Sequence, residues 1–197
     1  KIEKIYLTAS GGPFLKIPLS NFQKITIKEA LKHPNWKMGK KISIDSATMM
    51  NKIFEVIEAV KIFNLDASKF EILIHPKSYL HAIIHFNNGI TKMLAHATTM
   101  EIPIANAIYL KNDSYQLANT NFLYDKLNGV NFMKPDIKNY PLLNILNYKF
   151  NDTYFEIILV SINDNLVKRY LQNKISYISI HKIMIKLLNK KFFKKYY

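Results

Sequence analysis

The segment KISIDSATMMNKIFEVIEA, from Lys41 to Ala59, constrains the fold more than any other part of the chain, because its hydrophobic period changes within it. At its start Ile42 and Ile44 alternate with polar residues, which predicts a half-buried strand over residues 41–45. After Ala47 the apolar residues recur at helical spacing and form one stripe, made of Met50, Ile53, Phe54, Ile57 and Val60. The segment therefore predicts a strand, a turn and an amphipathic helix in direct succession.

Polar side chains of this segment come together at the start of the predicted helix. Asn51, Lys52 and Glu55 lie off the apolar stripe, at spacings that make them neighbours on the helix surface. Ser46 and Thr48 belong to the preceding turn, where hydroxyls and free helix N–H groups bind anions. An amide, an amine and hydroxyls beside a carboxylate that suits a hard cation predict a binding site for an anionic ligand.

Length and composition limit the classes of protein that fit this site. The chain has 197 residues, of which 49% are hydrophobic, so we expect one ordinary domain with a smaller one appended. It has no cysteine, which excludes disulfides and thiolate metal ligands and favours a reducing compartment. No apolar run reaches the roughly 18 residues of a membrane-spanning helix. We therefore expect a protein of the cytoplasm, or of a plastid-type organelle, without a membrane partner.

The net charge of +14 raises the question of nucleic-acid binding. Proteins that read nucleic acids use arginine for bidentate contacts, and among the 28 basic residues only Arg169 is an arginine. The lysines are scattered, and only residues 186–197 combine several of them with aromatic residues. A basic nucleic-acid-binding protein therefore remains an alternative that charge alone supports, and we expect no nucleic-acid partner.

Two loops in the first 40 residues are further candidates for ligand contact. A predicted strand at residues 2–8 runs into the Ser-Gly-Gly turn at 10–12. Glycines there allow backbone N–H groups to approach an anion, although a plain tight turn would look the same. The loop at 33–39 holds the only tryptophan, Trp36, and fits either a lid over a bound ligand or a surface connection.

A strand is predicted at residues 70–75, followed by a hairpin with strands at 79–86 and 90–96. The Asn-Gly pair between the hairpin strands suits a two-residue turn. His81 and His85 stand four residues apart, and on a strand they share one sheet face. We therefore expect packing or interface roles for them rather than a metal pair. The exposed edge of the hairpin predicts pairing with a second subunit.

Helical patterns dominate the rest of the chain. A capping box of Thr26 and Glu29 starts a short helix that ends near residue 32, and another helix is predicted from Pro103 to about Leu110. Residues 111–139 are polar and rich in turns. Leucine and isoleucine stripes then predict helices at 141–149, 153–171 and 179–193. We expect an α/β (α+β) catalytic domain with a mixed sheet over 1–110, a linker over 111–139, and a small helical domain over 140–197.

Four motifs carry a resemblance to a known family: SGGPF at residues 10–14, HPNW at 33–36, MGKKI at 38–42 and DSATMMNK at 45–52. Their order and spacing resemble those of the 1-deoxy-D-xylulose 5-phosphate reductoisomerase family. The resemblance is highly specific over about residues 5–105 and weak beyond them. The segments at 74–76 and 134–141 match the family pattern loosely. An eight-residue run such as DSATMMNK is not a chance match in a chain of this length.

The resemblance implies an enzyme of isoprenoid biosynthesis that isomerises and reduces 1-deoxy-D-xylulose 5-phosphate to 2-C-methyl-D-erythritol 4-phosphate. It implies NADPH and Mg²⁺ or Mn²⁺ as cofactors, and a homodimer. By the same resemblance the phosphorylated sugar is bound by Ser10, His33, Ser46, Asn51, Lys52 and Glu55. Among these, Glu55, Lys52 and His33 have catalytic roles, and Glu55 binds the metal. Trp36 and Met38 belong to a flexible lid, and Gly39 contacts the nicotinamide cofactor. Glu58 is expected to be a solvated or structural residue.

Departures from the family pattern define the alternatives. The sequence before Ser10 shows no Gly-x-Gly-x-x-Gly motif of a dinucleotide-binding domain, and the family's Asp-Ser-Glu metal segment is missing. Ile53 replaces the usual glycine after Asn-Lys, and the Asn-rich C-terminal helix appears only at residues 161–164. We therefore expect a fragment or an eroded form of the enzyme. A phosphate-binding module without catalysis is the alternative, against which the lid and Glu55 argue.

Overall fold

The computed structural model describes residues 1–36, 38–109, 124–148 and 153–194. Its centre is a four-stranded sheet with strand order β2-β1-β3-β4, formed by β1 (Ile2–Ala9), β2 (Phe70–Ile74), β3 (Leu80–Phe86) and β4 (Thr91–Ala95). β1 runs parallel to β2 and antiparallel to β3, and β3 and β4 form an antiparallel hairpin. The predicted mixed sheet is confirmed.

Helices surround this sheet. Between β1 and β2 the chain forms α1 (Ile27–Ala30), α2 (Lys40–Ala47) and α3 (Met50–Phe63). After the sheet come α4 (Glu101–Ile108), α5 (Tyr124–Leu127), α6 (Thr153–Leu171), α7 (Tyr177–Leu188) and α8 (Lys191–Lys194). Short 3₁₀ helices occupy Leu19–Lys24, Ala67–Lys69 and Pro141–Asn147. The capping box predicted at the start of α1 is present. Among the described residues, none of the helices is long and apolar enough to cross a bilayer.

One continuous hydrophobic core joins the sheet to the C-terminal helices. Ile72 of β2 and Ile53 of α3 belong to the same buried cluster as Leu159 of α6 and Ile180 of α7. α6 packs on α2 and α7, and the 3₁₀ helix Pro141–Asn147 packs on α3. The C-terminal helices therefore form the wall behind the segment that carries the predicted site. This burial holds α2 and α3 in place.

The predicted linker at 111–139 is described only in its second half, since residues 110–123 lie outside the described ranges. Met133 pairs with Ile74 at the end of β2 through two backbone hydrogen bonds, of 2.8 and 3.1 Å. Lys77 Nζ donates to the carbonyl oxygen of Asn128 at 3.0 Å. This part of the chain thus lies along the end of the sheet, and the domain boundaries remain a prediction.

The strand predicted at residues 41–45 is wrong, because these residues belong to α2. Lys41 and Asp45 lie one helical turn apart and form an ion pair, with 2.7 Å between Lys41 Nζ and Asp45 Oδ2. Asn163 Nδ2 of α6 donates to Asp45 Oδ1 at 2.8 Å. These partners let a carboxylate that is 1% exposed face the interior of the protein. Alternation over five residues does not separate strand from helix, and the buried Asp45 is compatible with a helix because Lys41 of the same helix and Asn163 of α6 pair with it.

The hairpin is confirmed, but its turn differs from the predicted two-residue form. Phe86 N–H donates to the carbonyl oxygen of Ile90 at 2.9 Å, and Gly89 N–H donates to that of Phe86 at 2.9 Å. The loop therefore consists of residues 87–89. Gly89 has a φ of 83°, which suits the left-handed last position of a three-residue loop.

Candidate ligand-binding site

The residues predicted as a site converge on one cavity. Its volume is about 610 Å³, and it lies among the end of β1, the loop at 33–39, the turn between α2 and α3, and the start of β3. Its predicted lining residues are Ser10, His33, Trp36, Met38, Gly39, Ser46, Asn51, Lys52 and Glu55. Thr48 is the exception. It is fully buried, and its Oγ1 donates to the carbonyl oxygen of Ile44 at 3.0 Å.

Two glycines shape the turn at the end of β1. Gly11 and Gly12 have φ of 88° and 66°, values that residues with a side chain rarely adopt. A Cβ on Gly12 would lie 3.1 Å from the carbonyl oxygen of Ser46, so glycine allows this turn to pack against the end of α2. Gly12 N–H donates to Ser10 Oγ at 3.1 Å. The serine hydroxyl is therefore held by its own turn at the cavity wall.

Hydrogen bonds around His33 orient Ser10. His33 Nδ1 accepts from the backbone N–H groups of Asn35 and Trp36, at 3.2 and 2.9 Å. Burial lowers the pKa of His33 below its ordinary value. The neutral ring then carries its proton on Nε2 and donates it to Ser10 Oγ, 3.1 Å away. Because Ser10 Oγ accepts from both His33 and Gly12, its own proton is left to donate to a ligand oxygen.

The polar triad of α3 forms as its spacing predicts. Asn51 Nδ2 donates to Glu55 Oε1 at 2.6 Å, and Lys52 Nζ donates to Glu55 Oε2 at 2.6 Å. One carboxylate therefore holds both the amide and the amine at the cavity wall. An anion that enters the cavity competes with Glu55 for these two donors, through charge-assisted hydrogen bonds. Glu58 is exposed, as expected.

The loop at 33–39 forms one side of the cavity. Asn35 Nδ2 donates to the carbonyl oxygen of Pro76 at 2.8 Å and to Ser78 Oγ at 2.7 Å, and the Trp36 ring lies 6.4 Å from that of His81. These contacts tie the loop to the segment between β2 and β3 and to the start of β3. Trp36 thus stands at the cavity, where a lid residue is expected, and the lid motion itself remains a prediction.

Gly39 is the N-cap of α2 and has ordinary backbone angles, its φ being −61°. No atom of the described residues lies within 4 Å of the position that a Cβ would take there. The fold therefore does not require glycine at this position. The missing side chain leaves open space at the cavity wall, which suits the close approach of a ligand to the backbone.

Sequence reasoning missed several residues of the cavity wall: Thr8, Ile42, Met49, Ser78, His81, His96, Met100 and Pro103. His81 and His96 stack with ring centroids 3.7 Å apart, and burial lowers the pKa of His81 to about 4. The neutral His81 ring can therefore lie against a second imidazole. The hairpin register places Leu80 opposite Ala95 and could have indicated this pair. His85 instead contacts Thr91 Oγ1 at 2.9 Å, so it forms no pair with His81.

Backbone strain marks two of the missed residues. Met49 and Ser78 have φ of 62° and 51°, in the left-handed region, and both are buried. Such conformations persist only where the surroundings hold them, and they cluster at binding sites. The position of Ser78 two residues after Pro76, next to the segment that matched the family pattern, was the signal that could have found it.

A divalent metal ion needs more oxygen ligands than these residues provide. Within the described ranges, Glu55 is the only carboxylate on the cavity wall, and no group of three His, Asp or Glu side chains could hold an ion. Both oxygens of Glu55 also accept hydrogen bonds already. The described residues therefore do not fit a complete Mg²⁺ or Mn²⁺ site, and Glu55 supplies at most one ligand of a shared one.

The fold and the cavity define an α/β domain with an anion-suited pocket at the ends of its sheet strands. Residues 1–63 match the model of the 1-deoxy-D-xylulose 5-phosphate reductoisomerase C-terminal domain, and residues 96–196 match the model of the DXP reductoisomerase C-terminal domain. The chain belongs to the 1-deoxy-D-xylulose 5-phosphate reductoisomerase family. The likeness extends through the C-terminal helices, further than the motifs indicated.

Relatives and solved structures agree with this assignment. The chain is 55% identical to the reductoisomerase of Pelagibacter ubique over 98% of its own length, and 38% identical to that of a Sulfurihydrogenibium species over 96%. A crystal structure of DOX-P reductoisomerase with NADPH, fosmidomycin and magnesium matches 98% of the chain with a TM-score of 0.87 and 33% identity. The Zymomonas mobilis enzyme with NADPH matches 95% with a TM-score of 0.84 and 32% identity.

The coverage of these proteins is partial. The chain spans 50% and 51% of the two relatives, and 48% of each of the two solved chains. It thus corresponds to about half the length of the curated relatives it matches.

Proposed function

We propose that this chain forms the substrate-binding part of an enzyme that isomerises and reduces 1-deoxy-D-xylulose 5-phosphate to 2-C-methyl-D-erythritol 4-phosphate in isoprenoid biosynthesis. The observation that carries the proposal is one cavity lined by Ser10, His33, Ser46, Asn51, Lys52 and Glu55. Family membership supports the reaction. One solved neighbour holds NADPH, fosmidomycin and magnesium and another holds NADPH, which supports the ligand classes.

The residues of the cavity have different proposed roles in substrate binding. Ser10 donates its remaining proton to a phosphate oxygen, Lys52 neutralises the phosphate charge, and Asn51 and Ser46 supply further polar contacts. His33 stays neutral and keeps Ser10 in place. Trp36 and Met38 close over the substrate and exclude water. Glu55, one turn after Asn51 on α3, faces the reacting end of the sugar.

Two cofactors belong to the proposal. NADPH supplies a hydride when bound, and the open space at Gly39 supports contact between the cofactor and this backbone. Glu55 is proposed as one ligand of Mg²⁺ or Mn²⁺, a role that rests on the family, because the described residues do not complete a metal site.

Binding of fosmidomycin, a phosphonate, tests the substrate site. Lys52→Ala is expected to weaken it roughly ten- to hundredfold in calorimetric titration, because a charge-assisted bond is lost. Lys28→Ala removes the same charge from an exposed position on α1 and should bind like the wild type. A Lys52→Ala variant that binds fosmidomycin normally would contradict the role of Lys52.

Trp36 is the only tryptophan, so its fluorescence reports closure of the lid. Unchanged fluorescence in the complex with fosmidomycin would contradict the role of Trp36 in the lid.

Turnover tests Glu55 separately from binding. In the complete polypeptide that the gene encodes, Glu55→Gln is expected to keep much of the fosmidomycin affinity, because glutamine can still accept one hydrogen bond from Asn51 or Lys52. It should abolish NADPH oxidation at every Mn²⁺ concentration tried. Near-normal turnover with the wild-type metal dependence would show that Glu55 has no such role.

A second copy of the chain is the proposed protein partner. All five residues of β4 are exposed, and β4 has no neighbouring strand on its outer side among the described residues. Met93 and Leu94 on this strand are 57% and 59% exposed, so the edge is both unpaired and apolar. Sedimentation at micromolar concentration should show a dimer that Leu94→Glu dissociates. Phe63→Glu, at an exposed apolar position on α3, is the control that should leave it intact.

A further inference from the structure

A buried tyrosine stands directly behind the Ser-Gly-Gly turn. Tyr140, at the start of the 3₁₀ helix Pro141–Asn147, is 2% exposed. Its hydroxyl donates to the carbonyl oxygen of Gly11 at 2.7 Å. The backbone N–H of Tyr140 donates in turn to the carbonyl oxygen of Asp136 at 2.9 Å, which holds the backbone that carries the ring. The contact therefore joins the C-terminal part of the chain to a turn of the cavity wall.

The geometry of one peptide unit transmits this contact to the cavity. No cis peptide bond occurs in the described residues, so the carbonyl of Gly11 and the N–H of Gly12 point in opposite directions. Tyr140 holds the carbonyl on the buried side, and the N–H on the other side donates to Ser10 Oγ. A peptide between two glycines is the most easily rotated unit of a backbone. A hydrogen bond to it therefore determines where its N–H points.

The hydrogen bond from Tyr140 to Gly11 also affects the direction of the Ser10 hydroxyl proton. Ser10 Oγ accepts from Gly12 N–H and from His33 Nε2, and these two bonds are what direct its proton into the cavity. Burial raises the pKa of Tyr140 to about 12, so its phenol is protonated and remains a donor at neutral pH. Rotation of the Gly11–Gly12 peptide would remove one of the two bonds and release the serine.

We propose that Tyr140 is a positioning residue for the anion-binding turn: its hydroxyl fixes the Gly11–Gly12 peptide and thereby the direction of the Ser10 hydroxyl and its bond to His33. Tyr140 does not line the cavity and acts through Ser10. The effect on ligand affinity rests on the function proposed above for this cavity. The effect on His33 does not, since it concerns the unliganded protein.

Tyr140→Phe tests the proposal, because it removes one oxygen and keeps the ring. Tyr170→Phe is the matched control. Tyr170 is also 2% exposed, but its hydroxyl has no hydrogen-bond partner among the described residues. Imidazole ¹⁵N NMR of the unliganded chain, with His33 assigned through a His33→Gln variant, reports the bond between Ser10 and His33. Calorimetric titration with fosmidomycin reports the binding geometry, and thermal denaturation records stability.

Tyr140→Phe is expected to shift the His33 resonances and their titration midpoint, and to weaken fosmidomycin binding about three- to tenfold. Tyr170→Phe should change neither readout. A Tyr140→Phe protein with the wild-type His33 spectrum overturns the proposal, even if its thermal stability falls, because the role of Tyr140 is then structural only. If wild-type protein binds no fosmidomycin, the proposed function fails, and the His33 spectrum still decides the role of Tyr140.

Discussion

At the scale of single residues, the distribution of protons determines what the cavity can bind. His33 has both ring nitrogens engaged: Nδ1 accepts from two backbone N–H groups, and Nε2 donates to Ser10. Burial lowers the pKa of His33, which keeps the ring neutral and this arrangement intact. Ser10 is thereby left as a donor, although a serine hydroxyl can in general act either way. The direction of the Ser10 proton therefore favours an anionic ligand, independently of any charged side chain.

Ser10→Ala should weaken fosmidomycin binding about tenfold, because a donor to a charged oxygen is lost and His33 loses its acceptor. Calorimetric titration measures the affinity. Ser20→Ala, at an exposed serine away from the cavity, is the control and should bind like the wild type. Equal affinities for the two variants would show that Ser10 does not contact the ligand.

At the scale of secondary-structure elements, the end of α2 depends on a helix far away in the sequence. The last carbonyl groups of a helix lack partners within it. Tyr177 of α7 donates its hydroxyl to the carbonyl oxygen of Ala47 at 2.8 Å. The Tyr177 ring also lies 5.0 Å from Phe14 and 5.9 Å from Tyr170, in an aromatic cluster. α7 therefore supports the last turn of α2, where Ser46 faces the cavity; Ser46 was predicted to lie in the turn after it, but it belongs to the helix.

Tyr177→Phe is expected to lower the free energy of unfolding by about 1–3 kcal/mol, because the carbonyl of Ala47 stays buried without its donor. Tyr170→Phe should leave stability unchanged or raise it slightly, since the hydroxyl it removes is buried and makes no hydrogen bond in the described part of the chain. Urea denaturation measures both variants. Equal losses of stability in the two would mean that the bond to Ala47 does not account for the effect.

At the scale of the whole molecule, one core connects the site to the C-terminal helices, and it contains an ionisable group. His181 of α7 is 3% exposed, and its ring packs edge-on against Tyr177 at 5.1 Å. Its Nε2 has no hydrogen-bond partner among the described residues. Burial lowers the pKa of His181 to about 4, so the folded protein keeps this ring neutral.

The stability of the chain should therefore depend on pH. An unfolded histidine has a pKa of about 6.5, so between pH 6.5 and 4 the unfolded chain binds a proton that the folded chain does not. The contribution of His181 to stability is complete well above pH 6.5 and is lost as the pH falls, by on the order of 3 kcal/mol at pH 4. Urea denaturation from pH 7 to pH 4.5 measures this slope.

Two histidine variants separate His181 from the other ionisable groups. His181→Leu should reduce the pH dependence without abolishing it, because burial also lowers the pKa of His81 to about 4. His85→Gln, at a position that is 39% exposed on its side chain, should keep the wild-type slope. An unchanged slope in His181→Leu would assign the acid sensitivity to another group.

The parts of the site that could be predicted from the sequence are those whose geometry is local. Asn51, Lys52 and Glu55 meet because residues three and four apart on a helix are neighbours, whatever surrounds the helix. The capping box of Thr26 and Glu29 and the glycine turn after β1 depend on backbone preferences within a few residues. The hairpin was predicted for the same reason, although its loop length was not.

Only the tertiary structure decided the remainder, because it depends on contacts between segments more than 100 residues apart. Residues 41–45 form a helix whose buried Asp45 carboxylate accepts a hydrogen bond from Asn163, 118 residues further along the chain. Tyr140 reaches Gly11, and Tyr177 reaches Ala47, from the C-terminal part of the chain. Local patterns determine which side chains can meet along one element. Which face of an element is buried, and which distant donor reaches its carbonyl groups, follows from how the elements pack.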